Sequence, residues 1–556
     1  MPRAKYKLTN LLLLVLLLAF ICVISILSLQ AEEASAPEET SAPAEAEINS
    51  EVEETAEVAE ESAAEENTDA ETNAEEEAEP SDTVESEDAD TSEQLETLRK
   101  LALEDALIVN GDQHVSLAEL NFHAALLFQQ LAQVPAFSPD AQEYLDIELP
   151  AEEGDKPMRQ VIRDLVLQEL PGKYSVIALA QASDHQLSDD DQLVINNFIS
   201  SLKDNAAAQS IDFTEFLEGH FGPGITEDLL REFVTSDLLE SSYLAEKYHS
   251  YNYSDEELEQ EFQAHPEKYS LVDYWEIKLD PELTDTEIVS ATQALSEQKE
   301  AADFAKTAMQ YADKTPDFLA QIGYDNSVEI EDFITEQAQK EKFASSSLDE
   351  TSASWLVSAD RQEGDSTVIQ RENGNYALFF VSSAKDERQN YNSRHILVNY
   401  KGSREEDKTI TLATIEAIEA AYKQDPTEEH FIELAQKYSD DSGSKQQGGL
   451  YEDISQGSFV PPYEEFCLAP DRQEGDVGLV NYEGTNYSGY HLIFFKGLEE
   501  ANWKRQSDQS LRQADQAAFL DQIKAESQTE VVDSVLDYLL VGPATPTAAA
   551  EEAVEQ

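Results

Sequence analysis

Basic residues and cysteines are both scarce in this chain, and each scarcity excludes something. Of 556 residues only 36 are Lys or Arg, against 116 Asp or Glu, for a formal net charge of −80. Between Lys7 and Arg99 there is no basic residue at all. Such a balance excludes nucleic acid and anionic membrane surfaces as partners for the bulk of the chain, because both recruit Lys and Arg. The chain has 2 cysteines, Cys22 and Cys467. Cys22 lies within an apolar run, so Cys467 has no partner for an intramolecular disulfide, and the folded parts must hold by core packing. Cys467 follows Phe466 in a short helical pattern and reads as a core thiol.

What is present changes along the chain, so it is read in pieces. Arg3, Lys5 and Lys7 precede an apolar run over residues 11–29. That run is long enough to span a bilayer core of about 30 Å at ~1.5 Å per residue. Positive charge before the run places the remainder outside the cytoplasmic membrane. The run exceeds the usual h-region of a cleaved signal and offers a poor small-x-small site before Glu32, which leans towards an anchor and leaves cleavage open. Residues 1–30 are thus a signal sequence or N-terminal membrane anchor. Residues 31–95, mostly Glu, Ala, Ser, Thr and Pro, cannot bury enough apolar surface to offset backbone entropy, and are expected as an acidic disordered linker.

From there the patterns become periodic. An apolar run ending in Asn110-Gly111 reads as a strand meeting a tight turn. Ser116 with Glu119 reads as a capping box before a helix. Helical periodicity follows over residues 161–170, 192–202, 213–217, 227–248 and 254–262, with Ser254 and Glu257 as a second capping box. Residues 96–269 are therefore expected to be mainly helical. His114, His123, His185, His220, His249 and His265 show no metal-ligand spacing.

A hexapeptide then occurs twice, as Asp360-Arg361-Gln362-Glu363-Gly364-Asp365 and as Asp471-Arg472-Gln473-Glu474-Gly475-Asp476. A period near 110 residues signals a duplicated domain. Aligning the flanks puts Trp355 with Cys467 and Ala377 with His491. Upstream, Glu276 falls where His395 does, and Lys314 where Asp441 does. The second copy holds Arg394-His395-Ile396-Leu397-Val398, then Tyr438-Ser439-Asp440-Asp441 with Gly448-Gly449-Leu450 and Phe459-Val460-Pro461-Pro462-Tyr463, and last Gly489-Tyr490-His491-Leu492-Ile493-Phe494. Alternation marks residues 394–400 and 490–495 as strands, and residues 428–438 as a helix. A lone strand histidine is usually a satisfied core residue and a lone loop aspartate a turn former. Their co-occurrence in this order is what carries weight.

Those segments resemble the parvulin family of peptidyl-prolyl cis-trans isomerases, in particular extracytoplasmic foldases of the PrsA and SurA kind. The resemblance implies an α+β multidomain fold. It comprises a mainly α-helical chaperone region and two tandem parvulin-like domains, each a four-stranded antiparallel sheet ringed by helices, the first degenerate. The expected boundaries are 96–269 for the chaperone region, 270–388 for the degenerate domain and 389–499 for the isomerase domain. C-terminal helices over 500–541 pack on the N-terminal region, and 542–556 form a disordered tail. The resemblance further implies His395, Asp441 and His491 as catalytic residues and Leu450, Phe459 and Tyr463 as the proline pocket, with no cofactor and no metal. Phe459 stands where Met is usual and Tyr463 where Phe is usual, which adds a hydroxyl needing a partner. The sequence leaves the tautomers of the two histidines open. The implied partners are unfolded or partly folded secreted polypeptides with X-Pro bonds, and the membrane through the N-terminal apolar segment. A competing expectation is a non-catalytic holdase in which both copies are scaffolds. A third is an envelope-tethered scaffold in which the acidic arm matters most.

Overall fold

The computed structural model describes residues 94–132, 145, 148–149 and 156–541. The expected anchor over residues 1–30, nearly all of the acidic linker and the tail over 542–556 lie outside the described residues. Among the described residues no helix is long and apolar enough to cross a membrane. The chain divides into two compact units, one of residues 1–250 and 516–556, the other Tyr251–Asp515.

After a helical segment over residues 94–101, the first unit has the strands Asp105–Val109 and Gln113–Ser116, paired antiparallel. Asn110 and Gly111 between them both take positive φ, 55° and 81°, the region an Asn-Gly turn supplies at low cost. Helix Leu117–Ala132 follows. Half of the expected capping box forms there: Ser116 Oγ accepts from the Glu119 amide at 3.3 Å, while the Glu119 carboxylate accepts from the Tyr174 hydroxyl instead. The pattern read over 161–170 is one end of a longer helix, Met158–Ala182, which runs on through Pro171. Packing overrides the breaker here, because Tyr174, Val176, Ile177 and Ala180 beyond it are all buried. Helices Asp189–Gln209, Phe213–Phe221 and Glu227–Ser250 complete the helical layer.

The second unit begins with helix Asp255–Ala264, whose capping box forms in full: Ser254 donates its amide to Glu257 at 2.8 Å, and Ser254 Oγ accepts from the Glu257 amide at 3.3 Å. Two four-stranded antiparallel sheets follow. In the first the strands lie in the order Gln339–Ala344, Ser270–Lys278, Gly374–Lys385, Ser366–Arg371; in the second, Leu450–Ile454, Gln389–Asn399, Ser488–Ala501, Val477–Glu483. In each copy the first and last strands are neighbours at the centre.

The repeated hexapeptide is the same clamp in both. Arg361 Nε donates to the Trp355 carbonyl at 3.2 Å and its guanidinium lies 4.1 Å from that ring; Arg472 does the same with Phe466, at 2.8 and 3.6 Å. Trp355 therefore corresponds to Phe466, one residue from the expected match with Cys467. The strand register makes the same correction downstream. Glu276 pairs with Leu378 and Lys278 with Tyr376, as His395 pairs with Ile493 and Leu397 with His491. Tyr376, not Ala377, stands where His491 stands, and a slip of one residue moves a side chain to the other face of a sheet. Glu276 keeps its expected place opposite His395.

Helix Asn502–Glu526 leads out of the second unit and into the first. In the later part of the stretch 500–541, expected as helices, the chain forms strand Thr529–Val531 and a short helix, Asp533–Leu536. The strand pairs antiparallel with Asp105–Val109, and Val535 and Leu536 join the apolar core that holds Leu107, Val109, Ile162 and Leu170. Pairing across the sheet satisfies backbone groups that the helical pattern alone would have kept local.

Candidate active site

Alternation along strand Gln389–Asn399 sends Ile396 and Val398 to one face, where they pack with Ile415, Ile418, Phe431 and Leu434. His395 points from the opposite face, which carries Tyr391, Ile493 and Phe495. On the neighbouring strand His491 lies opposite Leu397, and Ile493 lies opposite His395. The histidines are thus diagonal neighbours on one face, at a separation that two rings can close. They stack at 5.2 Å between centroids, 19° from parallel, with Nδ1 to Nδ1 at 3.0 Å.

Asp441 reaches them from the loop after helix Glu428–Tyr438. That loop is stitched to the strand: the Asp440 amide donates to the Leu397 carbonyl at 2.7 Å, and Ser439 Oγ accepts from the Leu397 amide at 3.2 Å. The Gly-Gly step is explained by close approach. The His395 amide donates to the Gly449 carbonyl at 2.8 Å, Gly449 has φ +74°, and a Cβ there would fall 2.1 Å from the His395 carbonyl oxygen.

His395 Nε2 lies 2.7 Å from Asp441 Oδ2, and His491 Nε2 lies 3.1 Å from the Tyr487 hydroxyl. Tyr451 also donates to Asp441 Oδ2, at 3.1 Å, as does Ser444, while the Gly443 amide donates to Oδ1 at 3.3 Å. Burial opposes charge on Asp441, but donation from His395 and Ser444, the charge on His395 and the Tyr451 hydroxyl outweigh it and hold the carboxyl well below the usual carboxylate range. Burial, together with the neighbouring His395 and against the pull of Asp441, takes His491 down to about 3. With Asp441 ionised, His395 Nε2–H donates to its carboxylate, and one proton lies between the two Nδ1 atoms.

Aromatic rings close one side. Phe459, half-buried, lies over Tyr463 at 4.6 Å, and Tyr451 stands edge-on to Phe459 at 5.1 Å. Tyr463 is fully buried, and its hydroxyl finds its partner in Ser393 Oγ at 2.8 Å. Leu450 pairs with Arg394 along the sheet, and the side chain this strand brings to His395 is that of the next residue, Tyr451, 5.5 Å between rings. Cys467 is buried and free, with its thiol pushed up to about 12 by burial.

Residues 376–496 match the model of the family described as PPIC-type PPIASE domain. Within that match the second copy forms a PPIC-type parvulin domain. Over 109 residues the chain is 31% identical to Chaperone SurA of Hahella chejuensis, a match covering 20% of this chain and 23% of that protein. The match thus spans about a quarter of the length of this curated relative. Among solved structures, Peptidylprolyl Isomerase (PrsA) from Bacillus anthracis aligns with 16% identity over 44% of this chain and 88% of its own, at a TM-score of 0.17. Foldase protein PrsA from Streptococcus pneumoniae aligns with 10% identity over 73% of this chain and 94% of its own, at 0.19. The assignment of the parvulin domain rests on the family match and on the site, not on these superpositions.

The parvulin domain brings His395, Asp441, His491, Phe459 and Tyr463 together. Sequence reasoning missed Tyr451 and Tyr487, and gave no role of their own to Ser439 and Ser444 in the loop motif. Strand alternation counted from Gly449 was the available signal for Tyr451. Tyr487 sits in extra hairpin length. Val480 pairs with His491 where Ile369 pairs with Tyr376 in the first copy, and the intervening chain is four residues longer in the parvulin domain.

In the first copy the equivalent place holds an ion pair. The Arg371 guanidinium bonds to Glu276 at 2.6 Å and to Asp349 at 2.7 Å, and lies 4.2 Å over the Tyr376 ring. Lys314, where Asp441 would be, is paired with Glu331 at 2.8 Å.

Proposed function

We propose that the chain is a peptidyl-prolyl cis-trans isomerase and chaperone that assists the folding of secreted proteins outside the cytoplasmic membrane. The observation that carries this reading is the closed chain from Tyr487 through His491 and His395 to Asp441, set beside Phe459 and Tyr463 in a parvulin domain. His395, Asp441 and His491 make the catalytic network, and Phe459, with Tyr463 beneath it, takes the proline ring; Leu450, in register with Arg394 on the other face of the sheet, stays outside that socket.

The chemistry asks for no nucleophile and no metal. Rotating a peptide bond costs about 18–20 kcal/mol because conjugation is lost, and X-Pro isomerisation takes tens of seconds or more unaided. At the twisted barrier top the charge separation between O and N is reduced. An apolar socket that excludes water therefore favours the twisted amide over the planar one, and an acceleration of about 10⁴ needs only about 5.5 kcal/mol of such preference. Asp441 Oδ2 is committed to three donors, which makes the carboxylate a fixed negative charge beside the substrate amide and not a base. The histidine pair holds that charge in place.

The partners in this reading are unfolded or partly folded secreted chains with X-Pro bonds, held by the helical unit while the parvulin domain acts. The apolar run over residues 11–29 supports delivery across the membrane, as an anchor or as a signal. Its domains are the helical chaperone region over 96–269, the degenerate copy over 270–388 and the isomerase domain over 389–499. For the first copy the non-catalytic reading is favoured by a specific observation, the Arg371 ion pairs in the place of the histidines. The test is a protease-coupled or NMR exchange assay of X-Pro peptides with the full chain, beside His395→Ala and Asp441→Ala. Catalysis that falls in both variants supports the reading; a folded wild-type chain without catalysis moves the function to holding alone.

A further inference from the structure

Three donors meet on Asp441 Oδ2, and they differ in what they are attached to. Ser444 belongs to the same loop as Asp441 and moves with it. His395 is the group the carboxylate serves. Tyr451 stands on the sheet strand Leu450–Ile454, whose register places it opposite Ser393, two residues from His395. Its hydroxyl, 3.1 Å from Asp441 Oδ2, therefore ties the loop to the sheet at the point where loop and sheet must agree. Its ring is placed by two edge-on contacts, 5.5 Å from His395 at 75° and 5.1 Å from Phe459 at 76°. The first copy makes a control. Tyr274 pairs with Lys340 there as Ser393 pairs with Tyr451, so a lysine takes the tyrosine's place in the copy that has also lost both histidines.

We propose that Tyr451 is a positioning residue of the isomerase site, whose hydroxyl anchors the Asp441 carboxylate to the sheet and so keeps it aimed at His395 Nε2. A rigid carboxylate presents its charge at one place relative to the socket formed by Phe459; a free one shares its time with water. The consequences for rate rest on the isomerase reading above. The consequences for hydrogen bonding rest on the geometry alone.

The test uses the full chain as wild type, Tyr451→Phe and Tyr451→Leu. The first variant deletes the hydroxyl and keeps the ring; the second deletes both. With ¹⁵N-labelled histidine, and His395 assigned by its loss in His395→Gln, the ring nitrogens of His395 report whether Nε2 carries the proton towards Asp441. The expected result for Tyr451→Phe is a shift away from the wild-type nitrogen pattern. Its kcat falls about tenfold with KM within twofold, because the carboxylate has lost the donor that ties it to the sheet. Tyr451→Leu raises KM as well, since the ring is gone. Wild-type nitrogen shifts and a wild-type kcat in Tyr451→Phe overturn the proposal. A wild-type chain that does not isomerise X-Pro bonds removes the isomerase reading. In that case the nitrogen shifts decide alone: unchanged shifts in Tyr451→Phe overturn the anchoring role, and changed shifts sustain it.

Discussion

His395 and His491 meet Nδ1 to Nδ1 at 3.0 Å, although neither is the other's partner across the strand pair; their register partners are Ile493 and Leu397. The diagonal placement leaves each ring its second nitrogen pointing outward, one to Asp441 and one to Tyr487. A directly opposed pair would leave less room for both.

That arrangement fixes an expectation for substitution. His395→Ala removes the one group bonded to both Asp441 and His491, and is expected to lower kcat/KM by about 10- to 100-fold, which corresponds to about 1.4–2.7 kcal/mol. A steady-state exchange assay on proline peptides measures it. His395→Asn, which can still bond one neighbour, is expected to lose less.

The pH dependence follows from His491, whose ordinary value near 6.5 is lowered to about 3 in the folded chain by burial and by His395. Between those values the unfolded chain binds a proton that the folded chain refuses. Stability therefore rises with pH across that window and is lost as pH falls, by up to about 1.4 kcal/mol per pH unit for one group. Asp441, also held low, adds a loss of the same sign below the ordinary carboxylate range. Urea unfolding of the parvulin domain's transition at pH 7, 5.5 and 4.5 is expected to show the midpoint falling, and His491→Asn to flatten that trend.

Phe459→Ala opens the socket without touching the hydrogen-bonded chain. The expectation is a KM raised about tenfold for the loss of a half-buried ring. An unchanged KM would mean that Phe459 does not meet the substrate.

Gly449→Ala combines a positive φ with a Cβ 2.1 Å from a carbonyl oxygen. Strain of that kind costs roughly 1–3 kcal/mol for the dihedral before the clash is counted. Thermal unfolding of the parvulin domain is expected to come at least several degrees earlier, whereas Gly457→Ala, with open space at its Cβ, is expected to show a smaller shift from its φ of +95°.

The site was legible in the sequence wherever one residue type at one spacing had few alternative uses. His395, Asp441, His491, Phe459 and Tyr463 were such cases, and so was the sheet with its first and last strands at the centre. What the sequence hid were the contributions of common residues whose roles depend on register. Tyr451 was overlooked in favour of Leu450, one residue away and on the other face. The same uncertainty of one residue matched Ala377 with His491, when the ladder puts Tyr376 there. Spacing in a strand carries period two, so an error of one is an error of face. The C-terminal strand Thr529–Val531 was hidden for a different reason: its partner lies at the other end of the chain, and no local pattern can announce it.

That pairing sets an order on the making of the molecule. Leu107 waits for Val531, and every residue of both parvulin-like copies lies between them. A chain synthesised from its N-terminus can complete each copy's sheet as soon as that copy has emerged, since both sheets are built from contiguous segments. The helical unit cannot complete its own sheet until Val531 is out. Its apolar core, open at Leu107 and Val109 until then, closes after both copies.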